Sequence, residues 1–248
     1  MMHRIFTLSL LLGLAGSLAA ESKFATTDWP NWRGLTSDGQ AKFVKGLPTE
    51  WSKIKNVVWK TPIPGRGHST PTLVGERIYL ATAEEDEMYQ SVLCINKADG
   101  KLVWETRVHE GQFAVGLNKH ASHAGTAVVH DGERLYVNFV IGNQAYASAL
   151  GLDGKLLWQK PIGKYKVHQG YGSSPMVFGD IVVVKADTKI GGVICGLDKK
   201  TGREIWRQER PKLPNYTTPV VIEAAGKQQM VFCGCELVTS LDPLTGKK

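Results

Sequence analysis

A turn that leads into a tryptophan is clearest in the run Asp198-Lys199-Lys200-Thr201-Gly202-Arg203-Glu204-Ile205-Trp206. Related runs are Asn96-Lys97-Ala98-Asp99-Gly100-Lys101-Leu102-Val103-Trp104, the shorter Asp153-Gly154-Lys155-Leu156-Leu157-Trp158, and Asp242-Pro243-Leu244-Thr245-Gly246-Lys247-Lys248. Counted from Trp59, the tryptophans follow one another at intervals of 45, 54 and 48 residues. Self-similarity at such a period indicates a repeat architecture.

Each repeat has the pattern of four short strands. Two apolar runs flank a turn at Gly75-Glu76, a third run covers Ser91 to Ile95, and a fourth carries Trp104. Four antiparallel strands per repeat are typical of a propeller blade, whose apolar faces are covered by neighbouring blades. A β-sandwich or a β-solenoid is the alternative, but sandwiches do not repeat a turn and a tryptophan so faithfully, and solenoid coils are shorter.

The sequence therefore predicts an all-β fold, a β-propeller of four-stranded antiparallel blades. About four blades are present, as part of a seven- or eight-bladed ring. A tryptophan in each outer strand is predicted to dock on the adjacent blade. The residues predicted to form these contacts are Trp59, Gly100, Trp104, Gly154, Trp158, Gly202 and Trp206.

The motif Asp-x-x-Thr-Gly-x-x-x-Trp, best seen at Asp198 to Trp206, resembles the tryptophan-docking repeat of the PQQ-like β-propeller family. The run Asp28-Trp29-Pro30-Asn31-Trp32-Arg33-Gly34 is similar to the opening of a secreted subfamily with BamB-like repeats. The resemblance covers residues 28 to 248 and implies a ring of eight blades, sometimes seven. Since the last repeat stops at Lys248 and Asn56 to Thr61 resembles an outermost strand without its blade, we interpret the sequence as a fragment, a truncated gene product or a half-ring that closes by association. A four-bladed ring is the alternative.

The first residues have the layout of an export signal. A basic start at Met1 to Arg4 precedes an apolar run at Ile5 to Ala15, and small residues allow cleavage after Ala19. A membrane anchor is the alternative, although the apolar run is short for a span. The predicted organisation is a signal peptide at 1–19, an N-terminal strap at 20–55 and a partial propeller at 56–248. The protein is thus expected to be exported, and periplasmic or extracellular after cleavage.

Composition excludes several classes of protein. With 42% hydrophobic and 21% charged residues the chain suits a folded core, not a disordered segment. The net charge of +7 is spread along the chain, so nucleic acid is not an expected partner. No further apolar run is long enough to cross a membrane. The four cysteines show no disulfide framework, since Cys94 and Cys195 fall in corresponding strands of separate repeats. Cys233 and Cys235 are expected to lie in one strand-like run, where a bridge between them would be strained.

The links that precede each blade hold an unusual number of histidines, tyrosines and cations. The residues predicted to bind a ligand are Arg66, His68, Lys119, His120, His123, His168, Tyr171 and Tyr216. They are expected to form a polar, cationic funnel for a small anionic ligand, an envelope protein or a peptide segment. The alternative is that they only hydrogen-bond backbone between blades. A metal held by His120, His123 and His168 is possible on residue type, but no metal site is predicted.

No catalytic residues can be assigned, since the common nucleophile, metalloprotease and phosphate-binding motifs are missing from the sequence. The favoured function is an exported, non-catalytic binding or scaffold propeller of the cell envelope, without a cofactor. The resemblance implies an alternative, a quinoprotein dehydrogenase that uses PQQ with calcium. Against it, such enzymes are longer, and many carry adjacent cysteines where Gly234 separates the two here. A propeller hydrolase or lyase is a third possibility.

Overall fold

The computed structural model describes residues 23–41 and 45–248, so the predicted signal peptide lies outside the described residues. The described chain contains strands and turns but no helix, and therefore no helix that could cross a bilayer. The strands are β1 (Thr72–Val74), β2 (Arg77–Glu84), β3 (Tyr89–Asn96), β4 (Leu102–Glu110), β5 (Val129–His130), β6 (Arg134–Ile141), β7 (Gln144–Gly151), β8 (Leu156–Lys164), β9 (Met176–Phe178), β10 (Ile181–Ala186), β11 (Gly192–Asp198), β12 (Glu204–Arg210), β13 (Val220–Ala224), β14 (Lys227–Gly234) and β15 (Leu237–Leu241).

The strands form four antiparallel sheets in chain order. We call β1–β4 blade 1, β5–β8 blade 2, β9–β12 blade 3 and β13–β15 blade 4; within the described residues blade 4 has three strands. Within a blade, each strand pairs with the next one along the chain through a short turn. This arrangement confirms the predicted fold class of antiparallel propeller blades.

The apolar core lies between consecutive blades and not within any one of them. Val92 of blade 1 shares a buried cluster with Phe139 of blade 2. Ala147 of blade 2 shares another with Val184 of blade 3, and a third spans blades 3 and 4. A single twisted sheet cannot cover its own two faces, so each blade is stabilised by its neighbours.

Trp158 shows how one blade docks on the next. Its indole nitrogen donates to the carbonyl oxygen of Lys199 at 3.1 Å, and its side chain is 8% exposed. The ring lies on Gly202, where an added Cβ would be 2.8 Å from it. Gly202 also has φ of +69°, a conformation that glycine adopts without strain. Two physical requirements therefore select glycine at this position.

The other predicted tryptophans make the same contact. The indole nitrogens of Trp59, Trp104 and Trp206 donate to the carbonyl oxygens of Lys97, Leu152 and Pro243 at 2.8, 3.0 and 3.2 Å. Their rings cover Gly100, Gly154 and Gly246, respectively. Each of these tryptophans thus lies on the turn of the following repeat, although around Trp59 residues 57–63 form no strand and pair with none in the described chain.

The turn that receives the tryptophan is built by its first residue. One carboxylate oxygen of Asp198 accepts hydrogen bonds from the backbone N–H of Lys200 at 3.0 Å and of Thr201 at 2.8 Å. The backbone N–H of Gly202 donates to the carbonyl oxygen of Asp198 at 2.8 Å. The side chain thus satisfies turn donors that have no ladder partner, which explains why Asp or Asn recurs there.

The strap lies against the first strands of blades 1 and 2. Trp29 forms a two-way backbone bridge with Leu73, with N···O distances of 2.7 and 3.0 Å. The carbonyl oxygen of Pro30 accepts from the backbone N–H of His130 at 2.8 Å, and the Asp28 carboxylate accepts from that of Gly75 at 2.9 Å. Residues 28–30 are therefore held by the propeller itself.

All four cysteines are free thiols in the structure. Cys94 and Cys195 are buried at corresponding places in β3 and β11, as the sequence predicts. The expectation that Cys233 and Cys235 both lie in a strand is wrong for Cys235. It occupies the turn between β14 and β15 with φ of +56°, because the hairpin closes with only two residues there.

Candidate functional site

Four loops gather at one end of the blades. We call them the rim links: residues 64–71, 111–128, 165–175 and 211–219, each of which leads into the first strand of a blade. Because the strands of each blade run antiparallel, these links share an end with the turns that join second and third strands. They contain every residue that the sequence predicts to bind a ligand.

A cavity of about 380 Å³, here named the rim cavity, lies among the links. Each of the four links contributes to its wall. The lining residues are His68 from the first link, Asn118, His120, Ala121, Ser122 and Gly125 from the second, Gln169, Gly170, Tyr171 and Gly172 from the third, and Tyr216 from the fourth. Four sequence repeats thus meet at one concave surface.

Hydrogen bonds hold each link to the next. The backbone N–H of His68 donates to the carbonyl oxygen of Ala124 at 2.9 Å, and that of Asn118 donates to the carbonyl oxygen of Gln169, also at 2.9 Å. The backbone N–H of Gln169 in turn donates to the hydroxyl of Tyr216 at 3.2 Å. The wall is therefore organised before any ligand arrives.

The structure brings four of the predicted residues into the wall, namely His68, His120, Tyr171 and Tyr216. His168 stands just behind them, with Nδ1 3.1 Å from the Tyr216 hydroxyl.

Arg66 and Lys119 lie outside the wall and are exposed. The guanidinium of Arg66 donates to the carbonyl oxygen of Lys119 at 2.9 Å, so the two cations flank the cavity together. The lining itself contains no carboxylate, lysine or arginine. The cations of the predicted funnel therefore lie at the border of the cavity and not in its lining.

His123 does not line the cavity. Its ring stacks on Phe113 with centroids 4.3 Å apart, and burial lowers its pKa so that the imidazole is uncharged. Within residues 23–41 and 45–248 no three side chains of the types His, Cys, Asp or Glu gather closely enough to hold a metal ion.

The two phenols of the wall remain protonated at neutral pH. Burial raises the pKa of Tyr171 well above its ordinary value, and its hydroxyl donates to the carbonyl oxygen of Lys185 at 2.8 Å. Burial also raises the pKa of Tyr216. The cavity therefore offers neutral hydrogen-bonding groups and ring faces.

The sequence did not single out Asn118, Gln169 and Ser122, which also face the cavity. The carboxamide of Asn118 donates to that of Gln169 at 2.6 Å, and the Ser122 hydroxyl accepts from the backbone N–H of His68 at 3.1 Å. Their position in the same links as the predicted histidines was the available signal.

The wall does not fit PQQ with calcium. Calcium in proteins is bound mainly by carboxylate and carbonyl oxygens, and the rim cavity has no carboxylate. A planar quinone that carries several negative charges would also need cations in contact with it, whereas Arg66 and Lys119 stand outside the lining.

Comparison with known proteins gives one consistent picture. The family model of the outer membrane protein assembly factor BamB matches residues 27–169 and 90–248. BamB of Alkalilimnicola ehrlichii (strain ATCC BAA-1101 / DSM 17681 / MLHE-1) is 25% identical over 158 residues, which are 63% of this chain and 36% of that protein. BamB from Moraxella catarrhalis superposes with a TM-score of 0.53 at 14% identity, over 77% of this chain and 53% of its own.

Quinohemoprotein alcohol dehydrogenase from Comamonas testosteroni gives a TM-score of 0.49 at 17% identity, over 74% of this chain and 27% of its own. The chain therefore spans about a third of the length of the curated BamB relative and about half of the BamB structure. At these identities the solved structures show the fold alone.

Proposed function

The chain belongs to the family of the outer membrane protein assembly factor BamB, and from that premise we propose that it is an exported, non-catalytic propeller that binds a segment of another envelope protein at the rim cavity. One observation carries the proposal: four successive links, one before each blade, converge on a single concave surface. A surface built from every repeat is suited to an extended ligand that crosses several blades.

The chemistry of the wall favours a peptide. His68, His120 and Tyr216 offer ring faces and hydrogen-bonding edges to the cavity. Peptide groups need such neutral donors and acceptors, and an apolar side chain can lie between the rings.

The cations at the border of the cavity would orient the bound segment. Arg66 and Lys119 are exposed on one side of the wall, so an acidic residue next to the bound segment would be attracted there. A small anionic ligand bound within the wall would meet no lysine or arginine side chain there.

The links are ordered by contacts with one another, which limits the entropy lost on binding. The bonds from Asn118 to Gln169 and from Gln169 to Tyr216 already fix the second, third and fourth links together. The wall can therefore bind a segment without any of its links having to become ordered first.

The experiment is site-specific photo-crosslinking in cells of the source organism. We place p-benzoylphenylalanine at Gln169, which lines the cavity, and at Lys200 as an exposed control in a turn at the other end of the blades. The Gln169 position is expected to give a discrete adduct with an envelope protein, and the Lys200 position none.

Removing the wall tests whether the adduct depends on it. Truncation of two central contacts, His120→Ala with Tyr216→Ala, should lower the adduct yield at least tenfold, since such contacts contribute about 1 kcal/mol or more each. Equal adducts at both crosslinker positions, or an unchanged yield in the double variant, would refute the peptide site.

Two further measurements test the remaining parts of the proposal. Sequencing of the secreted or periplasmic protein should place its first residue at Ala20, after cleavage behind Ala19. Purified protein supplied with PQQ and calcium should show no dye-linked alcohol oxidation, and clear turnover would contradict the non-catalytic assignment.

A further inference from the structure

A second cavity lies between the strap and the propeller and shares no lining residue with the rim cavity. It has a volume of about 640 Å³ and we name it the strap cavity. One wall consists of strap residues that include Asn31 and Trp32, and the other includes Met176 and Phe178 of β9. The turn residues Asp131 and Lys199 also line it, and neither belongs to the links that form the rim cavity.

Lys199 brings a buried positive charge to this cavity. Its side chain is 9% exposed, and its ammonium lies 3.6 Å from the Asp131 carboxylate and 3.4 Å from that of Asp180. Both distances exceed the range of about 2.7–2.9 Å expected for a charge-assisted hydrogen bond. In the part of the chain that the structure describes, no shorter contact satisfies the three donors of this ammonium.

Asp131 accepts three hydrogen bonds from other donors. It accepts from the backbone N–H of Glu133 at 2.9 Å, from that of Arg134 at 2.7 Å and from the Tyr136 hydroxyl at 3.1 Å. The carboxylate is thus a partial counter-ion for Lys199, because most of its acceptor sites are occupied by these donors and the ammonium lies 3.6 Å away. Asp180 is 84% exposed, so water screens its charge.

His130 adds a neutral donor to the same cavity. Its Nδ1 accepts from the backbone N–H of Gly132 at 2.8 Å, and burial lowers the pKa of the ring. The uncharged imidazole therefore carries its proton on Nε2. Among the described residues this N–H has no hydrogen-bond partner, and His130 lines the strap cavity.

The walls and the charge define the ligand. Trp32, Phe178 and Met176 give flat and polarisable apolar surface, which suits an aromatic ring. Two lysines and one aspartate line the cavity, a surplus of one positive charge. A carboxylate carries a single negative charge at neutral pH, whereas a phosphate monoester carries about −1.5 to −2 and would be repelled by Asp131.

We propose that the strap cavity is a second binding site, which takes a small aromatic carboxylate between Trp32 of the strap and β9, with the carboxylate on the Lys199 ammonium and the His130 N–H. The strap residues then form part of the binding site and do more than brace blades 1 and 2. The site is independent of the rim cavity and of the peptide proposed to bind there.

The test is calorimetric titration of the full chain with indole-3-acetate and with its uncharged amide, indole-3-acetamide. Wild-type protein is expected to bind the carboxylate at least tenfold more tightly than the amide. Lys199→Met should remove that preference, whereas Lys200→Met, an exposed neighbour in the same turn, should retain it. Lys199→Arg keeps the charge and should keep the preference.

Two controls separate loss of binding from loss of fold. The double variant Asp131→Asn with Lys199→Met removes both buried charges together, and it too should bind the two probes equally while melting like a folded protein. Equal affinity of the wild type for acid and amide, no binding of either probe at about 1 mM, or an unchanged preference in folded Lys199→Met would overturn the proposal. None of these results bears on crosslinking at Gln169.

Discussion

Changing Gly202 to alanine probes the docking of one blade on the next at a single atom. At φ of +69° an L-residue is strained by about 1–2 kcal/mol. The new Cβ would also lie 2.8 Å from the ring of Trp158, and such crowding of a packed site costs about 1–3 kcal/mol. We therefore expect Gly202→Ala to lower the free energy of unfolding by about 2–5 kcal/mol.

Gly226 offers a matched control because its φ is also +69°, yet an added Cβ there meets nothing within 4 Å. Gly226→Ala should cost only the backbone strain, about 1–2 kcal/mol. Trp158→Ala should itself cost about 3–5 kcal/mol, and in that background the added methyl of Gly202→Ala finds free space. The cost of Gly202→Ala should then fall to that of Gly226→Ala.

These differences are measured from the urea unfolding midpoints of the wild type, the three single variants, and the double variant that combines Gly202→Ala with Trp158→Ala. The double-mutant cycle should give a coupling of about 1–3 kcal/mol between Gly202 and Trp158. The reasoning is wrong if Gly202→Ala is no more costly than Gly226→Ala, or if its cost is the same with and without the indole.

Two further predictions concern buried ionisable groups. Burial lowers the pKa of His109 from 6.5 to about 4, so between these values the unfolded chain binds a proton that the folded chain does not. Stability should fall by up to about 3 kcal/mol as the pH drops through this window, and His109→Phe should flatten that slope in urea titrations at a series of pH values; an unchanged slope would contradict this. Asp187, fully buried between Lys185 at 2.8 Å and Arg210 at 3.1 Å, holds both cations, so Asp187→Asn should cost about 3–5 kcal/mol. The exposed Asp180→Asn should change the melting temperature very little, and equal effects of the two variants would count against the buried network.

The repeat was readable from the sequence because its physics is local. A turn that ends in a glycine such as Gly202 and is followed four residues later by a tryptophan such as Trp206 recurs in blades 1, 2 and 3. The number of strands per blade, their pairing order and the docking of Trp158 all follow from that recurring sequence pattern. The strand expected around Trp59 was predicted less well, since a ladder depends on a partner that is distant in sequence.

The site was only partly predictable, because neighbouring residues in a loop can face opposite ways. His120 and His123 are three residues apart in one link, yet the first lines the cavity and the second stacks on Phe113. The buried ion pair of Lys185 with Asp187 also left no signal, since an alternating polar residue in a strand resembles one that faces solvent. Likewise, the sequence around Lys199 did not indicate that this side chain would line a cavity together with strap residues.

The indole contacts all point the same way along the chain. Trp59, Trp104 and Trp158 each reach a carbonyl that is synthesised later, at Lys97, Leu152 and Lys199. As the polypeptide leaves the ribosome, each of these tryptophans therefore emerges before the turn that it will cover has been synthesised. Each newly synthesised blade can pack on the tryptophan of the preceding repeat, so the blades can assemble in the order in which they are translated.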